Sequence, residues 1–319
     1  MTRLTLALAA SAALWTSACA EPASEVAQTD ASPATQVLDA QATAEAAPAP
    51  VESAAVTFDA PDSAWRTPDP DNLLYIDTTY GRMIVELYPE IAPGHVERVK
   101  TLANAGFYDG LKFHRVIDGF MNQTGDPKGD GTGDSGMPDL EAEFTFRRGA
   151  DMPVALLTSA STPGGVMDLG FYKALPVATQ PSAQGILTKD GKVEAHGLHC
   201  PGVTSAARTS DPNTANSQFF LMRGRAPHLD AQYSIWGKVI AGGDLVQKIK
   251  LTEVNGQPVE VTPDVMEDVY LGSSLDEGDR ADIQVLDTNS DAFQTYIASL
   301  EDDGSYPDIC EVEIPVRLN

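Results

Sequence analysis

Arg115 stands in the stretch YDGLKFHRVIDGFMNQTG (Tyr108 to Gly125), with Phe113, Phe120 and Met121 around it and Gln123 two positions past the methionine. No carboxylate pair, Ser/His/Asp set or phosphate loop accompanies it there. An apolar wall holding one fork of fixed-charge donors suits a reaction that breaks no covalent bond and only twists an amide. Rotation about an X–Pro bond is such a reaction. Resonance raises a barrier of about 18–20 kcal/mol, and unaided exchange takes tens to hundreds of seconds. At the twisted transition state the proline nitrogen becomes pyramidal and a better acceptor. A donor aimed at it therefore binds the transition state more tightly than either planar ground state. A guanidinium keeps its charge in a water-poor pocket, where its field is weakly screened. Phe120, Met121 and a downstream aromatic supply the cup for the proline ring.

Other residues invite other readings. Taken alone, Arg115 is equally a strand residue in a structural ion pair, and His114 a satisfied structural histidine. The run Gly131 to Gly136 (GTGDSG) fits a dinucleotide-loop pattern, but no helix follows and its aspartate would repel phosphate. Asp126, Asp130 and Asp134 recur every fourth residue, unlike the alternating ligands of a calcium loop; a turn-rich loop is expected. His196, His199 and Cys200 in EAHGLHC offer three metal-ligand types, without a nearby fourth to close a site.

The elements that must position Arg115 read mainly as strands. LLYIDTTYGRMIVELY, from Leu73, is a β-hairpin about Thr78 to Gly81. Val96, Val99, Leu102 and Ala103 recur at helical spacing until Asn104-Ala105-Gly106 stops them. Phe113–Gln123, Ser217–Arg223 and Tyr233–Ile240 have strand character, and Gly243–Lys250 forms a second short helix. Many short strands with two helices suggest a closed antiparallel barrel rather than α/β layering. Residues 150–200 hold Pro153, Pro163, Pro176, Pro181, a Gly164-Gly165 pair and a hairpin-like Thr188 to Lys192. A connection that long is functional or separately structured. Residues 275–319 form an acidic extension in which Phe293, Tyr296, Ile297 and Leu300 mark one helix face. A strand-like Ile309–Val316 follows, and the whole is expected to pack back on the barrel.

The chain has 319 residues and a formal net charge of −25. Residues 63–239 carry 20 acidic and 16 basic residues, against 18 and 4 in residues 240–319. No basic stripe suits a nucleic-acid backbone. Arg3 followed by LTLALAASAALW reads as an export signal over residues 1–19, too short for a membrane span. Ala18-Cys19-Ala20 fits cleavage to a soluble product, whereas Thr16 to Cys19 fits a lipobox with Cys19 lipidated. Residues 20–62, rich in Ala, Pro and Glu, cannot bury a core and read as a tether. Outside the cytoplasm, two remaining cysteines favour one disulfide between Cys200 and Cys310, with two separately buried thiols as the alternative.

At Tyr108, Leu111, Phe113, His114, Arg115, Val116, Ile117, Phe120, Met121 and Gln123 the sequence resembles the cyclophilin family of peptidyl-prolyl cis–trans isomerases. PNTANSQFF (Pro212 to Phe220) is similar to a second family block, and His228-Leu229-Asp230 through Trp236-Gly237-Lys238-Val239 to a third. The resemblance spans roughly Leu73 to Ser274, within a domain placed at 63–274. It implies an eight-stranded antiparallel barrel capped by two helices, no cofactor, a monomer, and proline-containing unfolded or exported polypeptides as partners. It makes Arg115 the catalytic cation, with Phe120, Met121, Phe220 and Leu229 lining the proline pocket. His114, Gln123 and Gln218 would position the peptide backbone. Ala207-Arg208 replaces the family's Ala-Asn pair, so Arg208 narrows or charges the groove. His228 stands where many members have Trp and Tyr233 where many have His, which implies weaker cyclosporin binding. A non-catalytic proline-peptide-binding or chaperone module and a metal-binding envelope protein are the competing readings.

Overall fold

The computed structural model describes residues 58–162 and 165–318. The export signal, Cys19, residues 20–57 of the tether and the Pro163-Gly164 step lie outside the described residues. The chain opens with β1 (Trp65–Arg66), β2 (Leu73–Thr78), β3 (Gly81–Leu87), α1 (Pro93–Asn104), β4 (Arg115–Ile117) and β5 (Met121–Thr124). A second group follows: β6 (Phe146–Arg148), β7 (Ala155–Thr162), β8 (Gly165–Tyr172), β9 (Leu175–Thr179) and β10 (Val193–Gly197). Then come β11 (Val203–Ala206), β12 (Phe219–Met222), β13 (Ile235–Ala241), α2 (Leu245–Lys248), β14 (Glu253–Val254), β15 (Gln257–Pro258) and β16 (Asp268–Leu271). The C-terminal part supplies β17 (Ile283–Leu286), α3 (Asp291–Ser299) and β18 (Val316–Leu318).

The expected hairpin forms as β2 and β3, closing at Thr78 opposite Gly81. All six residues of β2 are buried, because both of its faces are covered. Its alternation sorts them between two cores. Leu74 and Ile76 join Met83, Val85, Phe113, Leu221 and Trp236, together with Val96, Val99 and Leu102 of α1. Leu73 and Tyr75 face the opposite way, into a second core shared with Phe171, Val177, Val285 and Phe293. Helices α1 and α2 thus seal the first core, while residues 146–198 and 283–316, α3 included, build much of the second.

The protein is mainly β, but its strand order is not that of an eight-stranded closed barrel. A ten-stranded sheet runs β15-β14-β4-β5-β12-β11-β13-β3-β2-β16 with its ends open. The chain before β4 meets the chain before β16 through one isolated bridge, Lys112–Val265. Backbone hydrogen bonds from Gly110 and Phe113 to Met266 and Asp264 flank it, at 2.7 and 2.8 Å. Pro263, lacking an N–H, precedes this contact and limits how far a ladder can extend.

Three further expectations are corrected. Phe113–Gln123 is not one strand: Asp118-Gly119 turns the chain, with Gly119 at φ +63°, and folds β4 onto β5. Residues 150–200 are no loop but most of a five-stranded sheet, β6-β10-β9-β8-β7. Ile309–Val316 is a short 3₁₀ turn and then coil, because the Asp308 carboxylate accepts the Cys310 N–H at 2.9 Å; the strand starts only at Val316. The Cys200–Cys310 disulfide is present, with the two Cα atoms 5.0 Å apart. It ties this tail to the strand-to-strand connection ahead of β11.

Candidate active site

One transverse row of residues organises the site. Arg115 on β4 lies opposite Gln123 on β5, Gln123 opposite Phe220 on β12, and Phe220 opposite Ser205 on β11. Directly opposed residues project to the same face. Met121, two positions before Gln123, shares it, whereas Phe219 and Leu221 point into the first core. Gly125 follows β5 at φ +83°, and any side chain there would strike the Ser217 carbonyl just ahead of β12.

The row floors a cleft of about 130 Å³. Met121, Gln123 and Phe220 form its base. Arg115 and Phe120 bound one side, and Ala207, Arg208, Leu229 and Tyr233 the other. A space of this size accepts a small ring: an apolar cavity of ~150 Å³ holds benzene. A larger cavity of about 330 Å³ lies at the seam with the C-terminal extension, beside Lys238 and Val312; of the expected residues only the disulfide's Cys310 reaches it, and none of those expected to bind substrate does.

Arg115 is about half exposed, and its Nε lies 3.5 Å from a Glu253 carboxylate oxygen. Glu253 arrives there because β14 pairs in parallel with β4, Glu253 opposite Ile117. Gln123 donates its amide to Gln218 Oε1 at 2.9 Å. Gln218 in turn donates to the Gly131 and Gly133 carbonyls at 3.0 and 2.8 Å, so its side chain braces the 126–133 loop instead of lining the cleft. That loop is a turn built on Asp126, whose carboxylate accepts the N–H groups of Lys128, Asp130 and Gly131. His114 also stands outside the cleft. Both its ring nitrogens are buried, with the Lys112 backbone carbonyl as the nearby acceptor that favours the protonated ring. Burial lowers its pKa, against the raising charges of Asp126 and Asp130, and keeps the imidazole neutral.

The opposite wall is aromatic and cationic. The Arg208 guanidinium lies 4.4 Å from the Tyr233 ring centroid. His228 is exposed and stacks on Phe120, centroids 5.9 Å apart and 27° between planes.

His199 has a role that its local sequence does not display. Cys200 beside it is spent in the disulfide, and both His199 nitrogens face protein partners. Nδ1 lies 3.0 Å from Asp230 Oδ1 and Nε2 3.3 Å from Ser205 Oγ. The ring stacks behind Phe220 and meets Tyr233 edge-on. It buttresses the cleft from behind. Nothing in EAHGLHC signals this, since every partner lies on another segment.

The mainly-β architecture agrees with what comparison with known proteins returns. Residues 73–271 match the family described as cyclophilin type peptidyl-prolyl cis-trans isomerase/CLD, and the chain belongs to that family of isomerases. It is similar to a probable peptidyl-prolyl cis-trans isomerase of Brucella suis, 34% identical over 193 residues, covering 57% of this chain and 73% of the relative. It is also similar to the peptidyl-prolyl cis-trans isomerase CYP71 of Arabidopsis thaliana, 32% identical over 60% of this chain but only 23% of the plant protein. Among solved structures, cyclophilin AquaCyp293 from Hirschia baltica shares 34% identity with a TM-score of 0.69, covering 80% of this chain and 93% of its own. That likeness takes in more of the chain than the family span does.

Proposed function

We propose that the chain accelerates cis–trans rotation about X–Pro bonds in exported polypeptides, with Arg115 as the group that stabilises the twisted amide. The observation that carries this is the row Arg115–Gln123–Phe220 across three adjacent strands, at the floor and edge of a ring-sized cleft. The proline ring enters between Phe120, Met121, Phe220 and Leu229. The guanidinium approaches the imide nitrogen as it becomes pyramidal, which lowers the barrier without a covalent intermediate or a cofactor. Gln123 fixes the peptide carbonyl side, and the Ala207 backbone offers a contact on the far wall. Glu253 holds Arg115 over the cleft in the absence of peptide. His114 and Gln218 act behind this surface, through the loop they support.

One protomer is sufficient for activity. Residues 1–19 act as an export signal, and Cys19 as a lipidated N-terminus on the tether of residues 20–62, which places the enzyme in the periplasm or cell envelope. Incorporation of labelled fatty acid that is lost in Cys19→Ser tests the anchor.

The activity is tested by exchange of an Ala-Pro peptide with wild type and Arg115→Ala. Loss of about 10²–10³ is expected for removal of one preorganised donor. Equal rates would leave a non-catalytic proline-binding module in its place.

A further inference from the structure

We propose that Arg208 makes this site select peptides that carry an aspartate or glutamate beside the proline; the proposal rests on the isomerase reading of the cleft. Arg208 is the second residue after β11 and lines the cleft wall next to Ala207. Its planar head is fixed on two sides. The Tyr233 ring lies 4.4 Å away and the Phe144 ring 5.4 Å. Nε and Nη2 donate to the Gln232 carbonyl at 3.2 and 2.9 Å, and Nη1 to the Thr209 carbonyl at 2.8 Å, with the Ser210 carbonyl a longer contact at 3.5 Å. A guanidinium has five N–H donors, so an Nη2 N–H is left with no acceptor among the described residues.

Every one of those acceptors is a neutral carbonyl. Among the described residues Arg208 forms no ion pair, whereas Arg66, Arg82, Arg147, Arg225 and Arg317 each meet a carboxylate. Arg115 in the same cleft has Glu253. Arg98, Arg148 and Arg280 likewise meet only neutral acceptors, but none of them lines the cleft. No Asp or Glu lines the cleft. The positive charge of Arg208 therefore faces the cleft uncompensated, on a head already immobilised by stacking and by carbonyls, so that little is lost in ordering it on binding. A carboxylate on a residue flanking the bound proline would complete its coordination.

The test compares kcat/KM for Ala-Xaa-Pro-Phe and Ala-Ala-Pro-Xaa peptides with Xaa as Glu, Gln or Lys. At low salt, Glu should exceed Gln by about two- to fivefold on at least one flank, the scale of a partly exposed ion pair, with Lys below Gln. Arg208→Lys should keep a Glu preference and Arg208→Gln should bring the Glu-to-Gln ratio to about one. The field of the remaining charges acts alike on wild type and variant, so the comparison of ratios isolates this side chain. In wild type alone, raising salt to about 1 M, where the Debye length falls to ~3 Å, should shrink the ratio. Equal rates for Glu and Gln on both flanks, or a preference that survives in Arg208→Gln, would overturn the proposal while leaving the isomerase reading intact. Acceleration of none of the peptides would overturn both.

Discussion

The His199 imidazole lies parallel to the Phe220 ring, with centroids 6.1 Å apart and 24° between planes. Its side chain is fully buried and its Nδ1 is held by Asp230, the residue after Leu229 of the cleft wall. The back of the cleft is thus set by one histidine that touches β11, β12 and the turn carrying Leu229. His199→Ala should lower kcat/KM by about ten- to hundredfold by letting Phe220 shift, since small misplacements near a reacting bond are costly. His199→Phe keeps the stack and should recover part of the loss. A rise in KM shared by His199→Ala and Asp230→Asn is the signature of a displaced wall. Unchanged kinetics in both variants would remove this role.

Cys200–Cys310 closes a covalent loop across a sequence separation of 110 residues. Long loops gain the most from closure, and removing a native disulfide typically costs about 2–5 kcal/mol. Cys310→Ser should lower the melting temperature markedly, and a reductant should do the same to wild type while leaving the variant unaffected. Melting curves that coincide in all conditions would show the bond to be energetically idle.

His114 and His196 both have pKa values lowered from the ordinary 6.5, foremost by burial. Their neutral forms are favoured in the folded chain, so the unfolded chain takes up protons first as pH falls. Stability is complete above pH 6.5 on this account and declines as pH drops toward the folded-state values. The urea midpoint should therefore be lower at about pH 5.5 than at about pH 7.5, above the range where carboxylates titrate. His114→Gln should reduce the difference, and a flat or inverted trend would contradict the burial argument.

His228 lies exposed over Phe120 where many cyclophilins have Trp. Cyclosporin should bind weakly, and His228→Trp should tighten it by about tenfold or more, the contribution typical of an interface tryptophan. Titration calorimetry of both proteins checks this. Tight binding by the wild type would show that the rim does not depend on that ring.

The cleft was legible because its residues sit in strands whose alternation the sequence displays. Met121 and Gln123 fall on one face, and Phe219 and Phe220 divide between core and cleft as a two-residue period requires. The sheet of residues 146–197 was hidden by its prolines, which suggested a loop. Pro153 precedes β7 and Pro181 follows β9. Pro176 lies in β9 one residue beyond its last partner on β10, Val177 opposite Gly197, so its missing N–H removes no bond on that side. The carboxylate partner of Arg115 was equally hidden: Glu253 reaches it only through a parallel pairing between segments far apart in sequence.

The bond between Cys200 and Cys310 also divides the cleft between two kinds of chain. Ala207, Arg208, Phe220, Leu229 and Tyr233 belong to a macrocycle that the sulfurs close, whereas Arg115, Phe120, Met121 and Gln123 lie on the open strand ahead of it. A protease that nicks the cycle once linearises it without releasing a fragment. The clipped molecule would still run as one band until thiol is added, and its proline-gripping wall would stay attached to its arginine.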